Sequence, residues 1–299
     1  MGESTPAEEF RPRRSVLYLP SSNERALEKA RSLPVDALIL DLEDAVAPDA
    51  KASARESACA AARSGEYGQR ELTIRVNGMD TEWHADDLAA ASSAGPDAIV
   101  VPKVSSADEV RQLVAAIEAA GAPEHTKLWA MVETPLAMLH AEEIAGASER
   151  VTLLVMGTND LNKELGALMV PGRGPLLTGL SLCLLAARAT GKVIVDGVYN
   201  DVKDAEGFEV ECRQGRDFGF DGKTLIHPGQ VEAANRVFAP SEADVEDARA
   251  VIEAFETARA EGRGVATHNG RLIENLHVDT ARKVLATNDA IAARGGVAG

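Results

Sequence analysis

Eight short runs rich in β-branched and aliphatic residues recur through the first three quarters of the chain. They are SVLYLP (15–20), ALILDLE (37–43), LTIRVN (72–77), AIVVPK (98–103), LWAMVE (128–133), TLLVMG (152–157), VIVDGV (193–198) and GKTLIHP (222–228). Helix-like stretches separate them, among them NERALEKARSL, SADEVRQLVAAIEAAG and PLLTGLSLCLLAARATG. Several open with Ser, Asn or Pro and close with Gly, as helix ends do. Strand alternating with helix requires parallel strands joined by right-handed crossovers. Eight such units predict an α/β fold of the (β/α)8 barrel type. A doubly wound open sheet is the alternative, but no G-x-G-x-x-G follows the first strand.

Behind the eighth strand the chain continues beyond what a barrel needs. A helix is predicted over 241–262, a Gly-containing loop over 263–278 and a second helix over 279–294. The expected organisation is a catalytic barrel over residues 1–240 and a helical extension over 241–299, which acts as a lid, contacts a neighbouring subunit or is a plain appendage on the barrel's outside.

Several runs end in charge. ALILDLEDAVAP carries Asp41, Glu43 and Asp44 at the end of a buried strand, where carboxylates are costly unless something pairs with them. Side chains alternate between the two faces of a strand. Thr73, Arg75 and Asn77 then face inward in the third strand, Trp129, Met131 and Glu133 in the fifth, and Asp41 and Glu43 in the second. Ile99, Val101 and Lys103 share one face of the fourth. Asp160 follows the sixth strand. The C-terminal ends of barrel strands carry active sites. Asp41, Glu43, Asp44, Glu133 and Asp160, with Arg75 and Lys103, are therefore expected at one mouth.

Glu133 and Asp160 are candidate ligands for a hard divalent cation, because Mg²⁺ needs only one or two carboxylates beside waters and substrate oxygens. Arg75 suits a carboxylate or a developing oxyanion; the alternative is that Arg75 and Lys103 simply neutralise the acids around them. Asp41 and Glu43 read as supports for Arg75. Lys103 reads as an ion-pair residue rather than a Schiff-base lysine. The Gly157 turn holds an anion on its N–H groups or is a plain turn. The six histidines show no metal-binding spacing, although His227 ends the eighth strand.

Composition narrows the function classes. The net charge of −16 and 4% aromatic content disfavour nucleic-acid and anionic-membrane binding. An anionic substrate then needs local cations. Three scattered cysteines without a C-x-x-C point to a reducing compartment. No apolar leader opens the chain and no apolar run is long enough to span a bilayer, so a cytoplasmic protein is expected.

Taken in order, RSVLYLPSSNERALEKA, ILDLEDAVAPDAKASARE, IRVN, VVPKVSS, VETPLAML, MGTNDLNKELG, DGVYND and GFDGKTLIHPGQ resemble the citrate lyase β-subunit-like branch of the HpcH/HpaI aldolase/citrate lyase superfamily. Its members include malyl-CoA, citramalyl-CoA and citryl-CoA lyases. The resemblance implies a (β/α)8 barrel and Mg²⁺-dependent (or Mn²⁺-dependent) cleavage of a 3-hydroxyacyl-CoA into an acyl-CoA and a 2-oxo acid. It places the metal on Glu133 and Asp160, with Glu133 and Arg75 at the reacting centre. It puts coenzyme A against Tyr18, Arg25, Lys29, His227 and Pro228. It implies a trimer or hexamer in which a C-terminal aspartate reaches a neighbour's site. Here LIENLHVDTARKVLA carries Glu274 at that place and Leu276 where relatives have proline, with Asp279 nearby. Other readings are a malyl-CoA thioesterase, the β subunit of a citrate lyase working on a carrier-protein thioester, a free-acid aldolase and a catalytically silent CoA-ester-binding barrel.

Overall fold

The computed structural model describes residues 11–295. The N-terminal stretch read above for a leader lies largely outside them. Eight parallel strands close into one barrel in chain order: β1 Ser15–Pro20, β2 Ala37–Asp41, β3 Glu71–Arg75, β4 Ala98–Val101, β5 Lys127–Val132, β6 Val151–Met156, β7 Val193–Asp196 and β8 Gly222–Leu225. β1 pairs with β8, which excludes the open sheet.

The barrel interior is filled by one face of these strands. Val16, Ile39, Val100, Trp129, Leu153 and Val155 belong to this cluster, with Trp129 fully buried. Removing each aliphatic side chain from water stabilises the fold by roughly 1.5–3 kcal/mol. Leu38, Leu40, Ile74, Ile99 and Val101 are also fully buried but lie outside that cluster, as the alternation predicts. Four of the helices between strands start on side-chain caps. Asn23, Ser106, Thr134 and Asp204 each accept a backbone N–H of the first turn.

Two compact units are distinguished, a barrel unit Arg13–Ala234 and a second unit that runs from Asn235. The second holds helices Glu242–Ala260 and Asn275–Ala293 around its own cluster, including Val251, Phe255, Ile273 and Val278. Between them, the stretch expected as a loop is an antiparallel ribbon, β9 Ala266–His268 and β10 Arg271–Ile273. Asn269 and Gly270 form its turn with φ of 49° and 73°, the left-handed pair that a two-residue hairpin needs. The last helix consequently begins at Asn275, four residues before the expected start. Among the described residues no helix is long and apolar enough to cross a membrane.

Candidate active site

Strand register assembles the mouth. Asp41 ends β2 directly opposite Arg75, the last residue of β3. The guanidinium binds the carboxylate at two points, Nε to Oδ1 at 2.6 Å and Nη2 to Oδ2 at 2.7 Å. Its Nη1 lies 2.7 Å from Glu43 and 3.5 Å from Asp44. The Tyr18 ring from β1 sits 4.9 Å from the guanidinium carbon, a cation–π distance. Asp41 also accepts the N–H groups of Glu43 and Ala45, which fixes the turn after β2. Of the two readings of Arg75, the geometry displays the neutralising one.

Glu133 follows β5 and is almost fully buried. Its Oε1 accepts the backbone N–H of Lys103 at 2.8 Å. Gly157 lies beside it after β6, and its N–H donates to Val132 O, so it is a ladder donor rather than an anion cradle. What matters there is the missing side chain. A Cβ on Gly157 would stand 2.1 Å from Glu133 Oε2 and 2.3 Å from its Cβ. Asp160 occupies the first turn of the helix Thr158–Glu164.

Burial pushes the Glu133 carboxyl up to about 7, and the Asp160 charge adds to the rise against the Lys103 N–H, Arg75 and Lys103. Burial likewise raises Glu43 to about 8, opposed by Arg75 and reinforced by Asp44, Glu133 and Asp41. Burial lowers the Lys103 ammonium, but Glu43, Asp160, Glu133 and Asp44 raise it by more. A buried carboxyl pushed up by burial and by a second carboxylate nearby is a site short of positive charge. Its all-oxygen donors fit a hard cation such as Mg²⁺. Among the described residues no group of three or more His, Cys, Asp or Glu is placed to hold a metal, so any such ion would take its remaining ligands from water and substrate.

These raised carboxyls have a consequence for stability. Between the ordinary carboxyl value of 4.5 and about 7 for Glu133, or about 8 for Glu43, the folded chain keeps protons that the unfolded chain has released. Their contribution is full below pH 4.5 and is lost as pH rises through the folded values. Urea unfolding in EDTA from pH 5 to 8 should show wild type losing on the order of 3 kcal/mol more than Glu133→Gln. Parallel curves would contradict this origin of the shift.

The remaining predicted residues are distributed differently. Arg25 and Lys29 are exposed on the helix Glu24–Ala30. His227 is exposed, its Nδ1 accepting the Gly229 N–H, and Pro228 begins the short turn that follows. Glu274 is exposed in the second unit, at the N-terminal boundary of the helix Asn275–Ala293.

Two buried clusters were not anticipated. Lys51 drives its ammonium under the turn after β2, donating to Leu42 O, Glu43 O and Asn77 Oδ1 at 2.7–2.8 Å. Asn77, expected to face inward, bonds Leu42 O and Asp87, and Asp87 pairs with Arg55. Lys51 thus holds the backbone from which Asp41 and Glu43 grip Arg75. Lys51→Met should cost about 3 kcal/mol in urea unfolding at neutral pH, because three buried acceptors lose one charged donor; a loss below about 1 kcal/mol would refute that role. The second cluster joins β7 and β8. Asp196 pairs with Arg173 at 2.7 Å and Lys223 at 3.1 Å, and Lys223 also binds Glu211. Burial raises the Asp196 carboxyl, but the two cations bring it below its ordinary value. An acid ending the apolar run VIVD, as Asp41 ends ALILD, was the available signal.

Comparison with known proteins agrees with the barrel fold. Residues 14–228 match the HpcH/HpaI aldolase/citrate lyase family. The chain belongs to that family. It is 55% identical over 97% of its length to 99% of a (3S)-malyl-CoA thioesterase of Cereibacter sphaeroides. It is 37% identical to the citrate lyase subunit beta of Escherichia coli, covering 92% of this chain and 93% of that one. Among solved structures it resembles CitE of Mycobacterium tuberculosis in complex with magnesium, acetoacetate and coenzyme A. The TM-score is 0.74 at 29% identity, covering 92% of this chain and 96% of that one. The chain is thus of the CoA-ester lyase and thioesterase kind.

Proposed function

We propose that this protein hydrolyses the thioester of a malyl-type 3-hydroxyacyl-CoA, with Mg²⁺ held by Glu133 and Asp160 at the barrel mouth. The reaction adds water to the thioester carbonyl and breaks the C–S bond, giving free CoA thiol and the hydroxy acid. The observation that carries the reaction is the 55% identity, over nearly the whole of both chains, to a protein named (3S)-malyl-CoA thioesterase. What supports the metal is the burial of the Glu133 carboxyl near the Asp160 charge, which together push it up to about 7.

The metal, when bound, would supply Lewis-acid polarisation of substrate oxygens. The chain's own residues do the rest. Glu133 must release its proton to act as a ligand, so occupancy rises with pH through about 7. Arg75, whose guanidinium is held by Asp41 and Glu43, is assigned to balance charge developing on the carbonyl oxygen. Tyr18, Arg25, Lys29, His227 and Pro228 are assigned to coenzyme A. Glu274 is assigned as the acid/base, delivered in a homo-oligomer by the extension over 241–299 of a neighbouring copy.

Carbon–carbon cleavage is the second reading, favoured by the likeness to citrate lyase subunit beta. A panel of malyl-, citramalyl- and citryl-CoA, each with Mg²⁺ and with EDTA, tests the proposal. Thiol release from malyl-CoA, lost in EDTA, is expected. A 2-oxo acid from any member moves the assignment to a lyase.

A further inference from the structure

The fourth strand breaks its own alternation at the mouth. Val100 faces the barrel interior, with Ile99 and Val101 outside that cluster. Continued alternation would send Lys103 outward with Val101. The strand instead ends at Val101, and Lys103 takes φ 55°, the left-handed region. That conformation is strained for a residue with a side chain. It turns the Lys103 N–H onto Glu133 Oε1 and brings the residue among Glu43, Asp160, Glu133 and Asp44. Glycine would make the same N–H contact without strain. What lysine adds is its ammonium.

The two cations of the mouth differ. Arg75 is buried and engaged by Asp41 and Glu43. Lys103 is exposed, and among the described residues its ammonium makes no hydrogen bond or ion pair. An anionic substrate entering a mouth with five carboxylates needs a cation that is not already spoken for. We propose that the Lys103 ammonium binds the free carboxylate of the acyl substrate, making Lys103 a specificity residue for acids over neutral acyl chains. The inference rests on the malyl-type reading above.

The test uses the full-length protein and its Lys103→Gly, Lys103→Met and Lys103→Arg variants. Four quantities are read: KM and kcat for malyl-CoA, binding of malate in the presence of Mg²⁺, Mg²⁺ affinity, and Tm. Lys103→Gly is expected to raise KM and weaken malate binding by about 10- to 100-fold, the range of one charged hydrogen bond. Its kcat should stay within about threefold and its Tm should not fall, since glycine relieves the left-handed strain. Its Mg²⁺ affinity should hold or increase, because a repelling cation has gone. Lys103→Met should share the KM defect, and Lys103→Arg should recover most of it. A merely structural lysine would instead lower Tm and Mg²⁺ affinity on removal. Wild-type activity on malyl-CoA with an unchanged KM in Lys103→Gly overturns this inference alone. A wild type that neither turns over malyl-CoA nor binds malate overturns the reading of the site and the inference with it.

Discussion

Glutamine at position 133 is expected to reduce Mg²⁺-dependent turnover by about 1000-fold or more, with the barrel intact. The substitution keeps the shape and one acceptor oxygen for the Lys103 N–H, but it removes the charge that would hold the ion. Folding should not suffer. The native carboxyl is pushed up to about 7 by burial, so a neutral group is the easier one to bury. Two measurements separate this from general damage. Mg²⁺ should raise the Tm of wild type, as any ligand of the native state does, and should leave that of Glu133→Gln unmoved. Far-UV circular dichroism of the two proteins should coincide. Residual activity near wild type, or a retained Mg²⁺ shift, would remove Glu133 as a ligand.

Gly157→Ala is expected to be nearly as damaging without touching any charge. The new methyl would meet the Glu133 Oε2 at 2.1 Å and its Cβ at 2.3 Å. The carboxylate end can swing, but a Cβ moves only with its backbone, so β5 or β6 must shift. Overpacking of this kind costs about 1–3 kcal/mol, and a displaced Glu133 should lose about 100-fold in activity. The expected signature is a lower Tm together with a weakened Mg²⁺ shift. An alanine variant of normal activity would mean that the close approach of Glu133 to residue 157 is not needed.

Much of this arrangement was readable from residues alone, for reasons that differ by element. The barrel strands are short apolar runs buried on both faces, so their positions stand out against the helices, and all eight were located. Period-two alternation then identified Asp41, Arg75 and Glu133 as inward at strand ends, because each lies within or just beyond a regular strand. Alternation fails where the backbone stops being a strand. Lys103 comes to the mouth only through one left-handed residue, and Asn77 turns away to Lys51 and Asp87 once β3 has ended. Gly157 was legible as a turn, but the room it leaves for Glu133 depends on a contact between neighbouring strands. The ribbon at 266–273 was missed although Asn269-Gly270 is a strong hairpin signal, since three-residue strands show almost no periodicity. Lys51 and Lys223 could not have been found by pattern. Each is a cation buried by acceptors far away in sequence, and one chain gives no spacing that betrays them.

The most direct test of the central claim is to give the purified protein malyl-CoA with Mg²⁺ and follow free thiol and 2-oxo acid in the same reaction. Hydrolysis at this mouth predicts stoichiometric thiol, no 2-oxo acid, and loss of both substrate consumption and thiol release on adding EDTA. A 2-oxo acid appearing without thiol, or thiol release indifferent to EDTA, would contradict it.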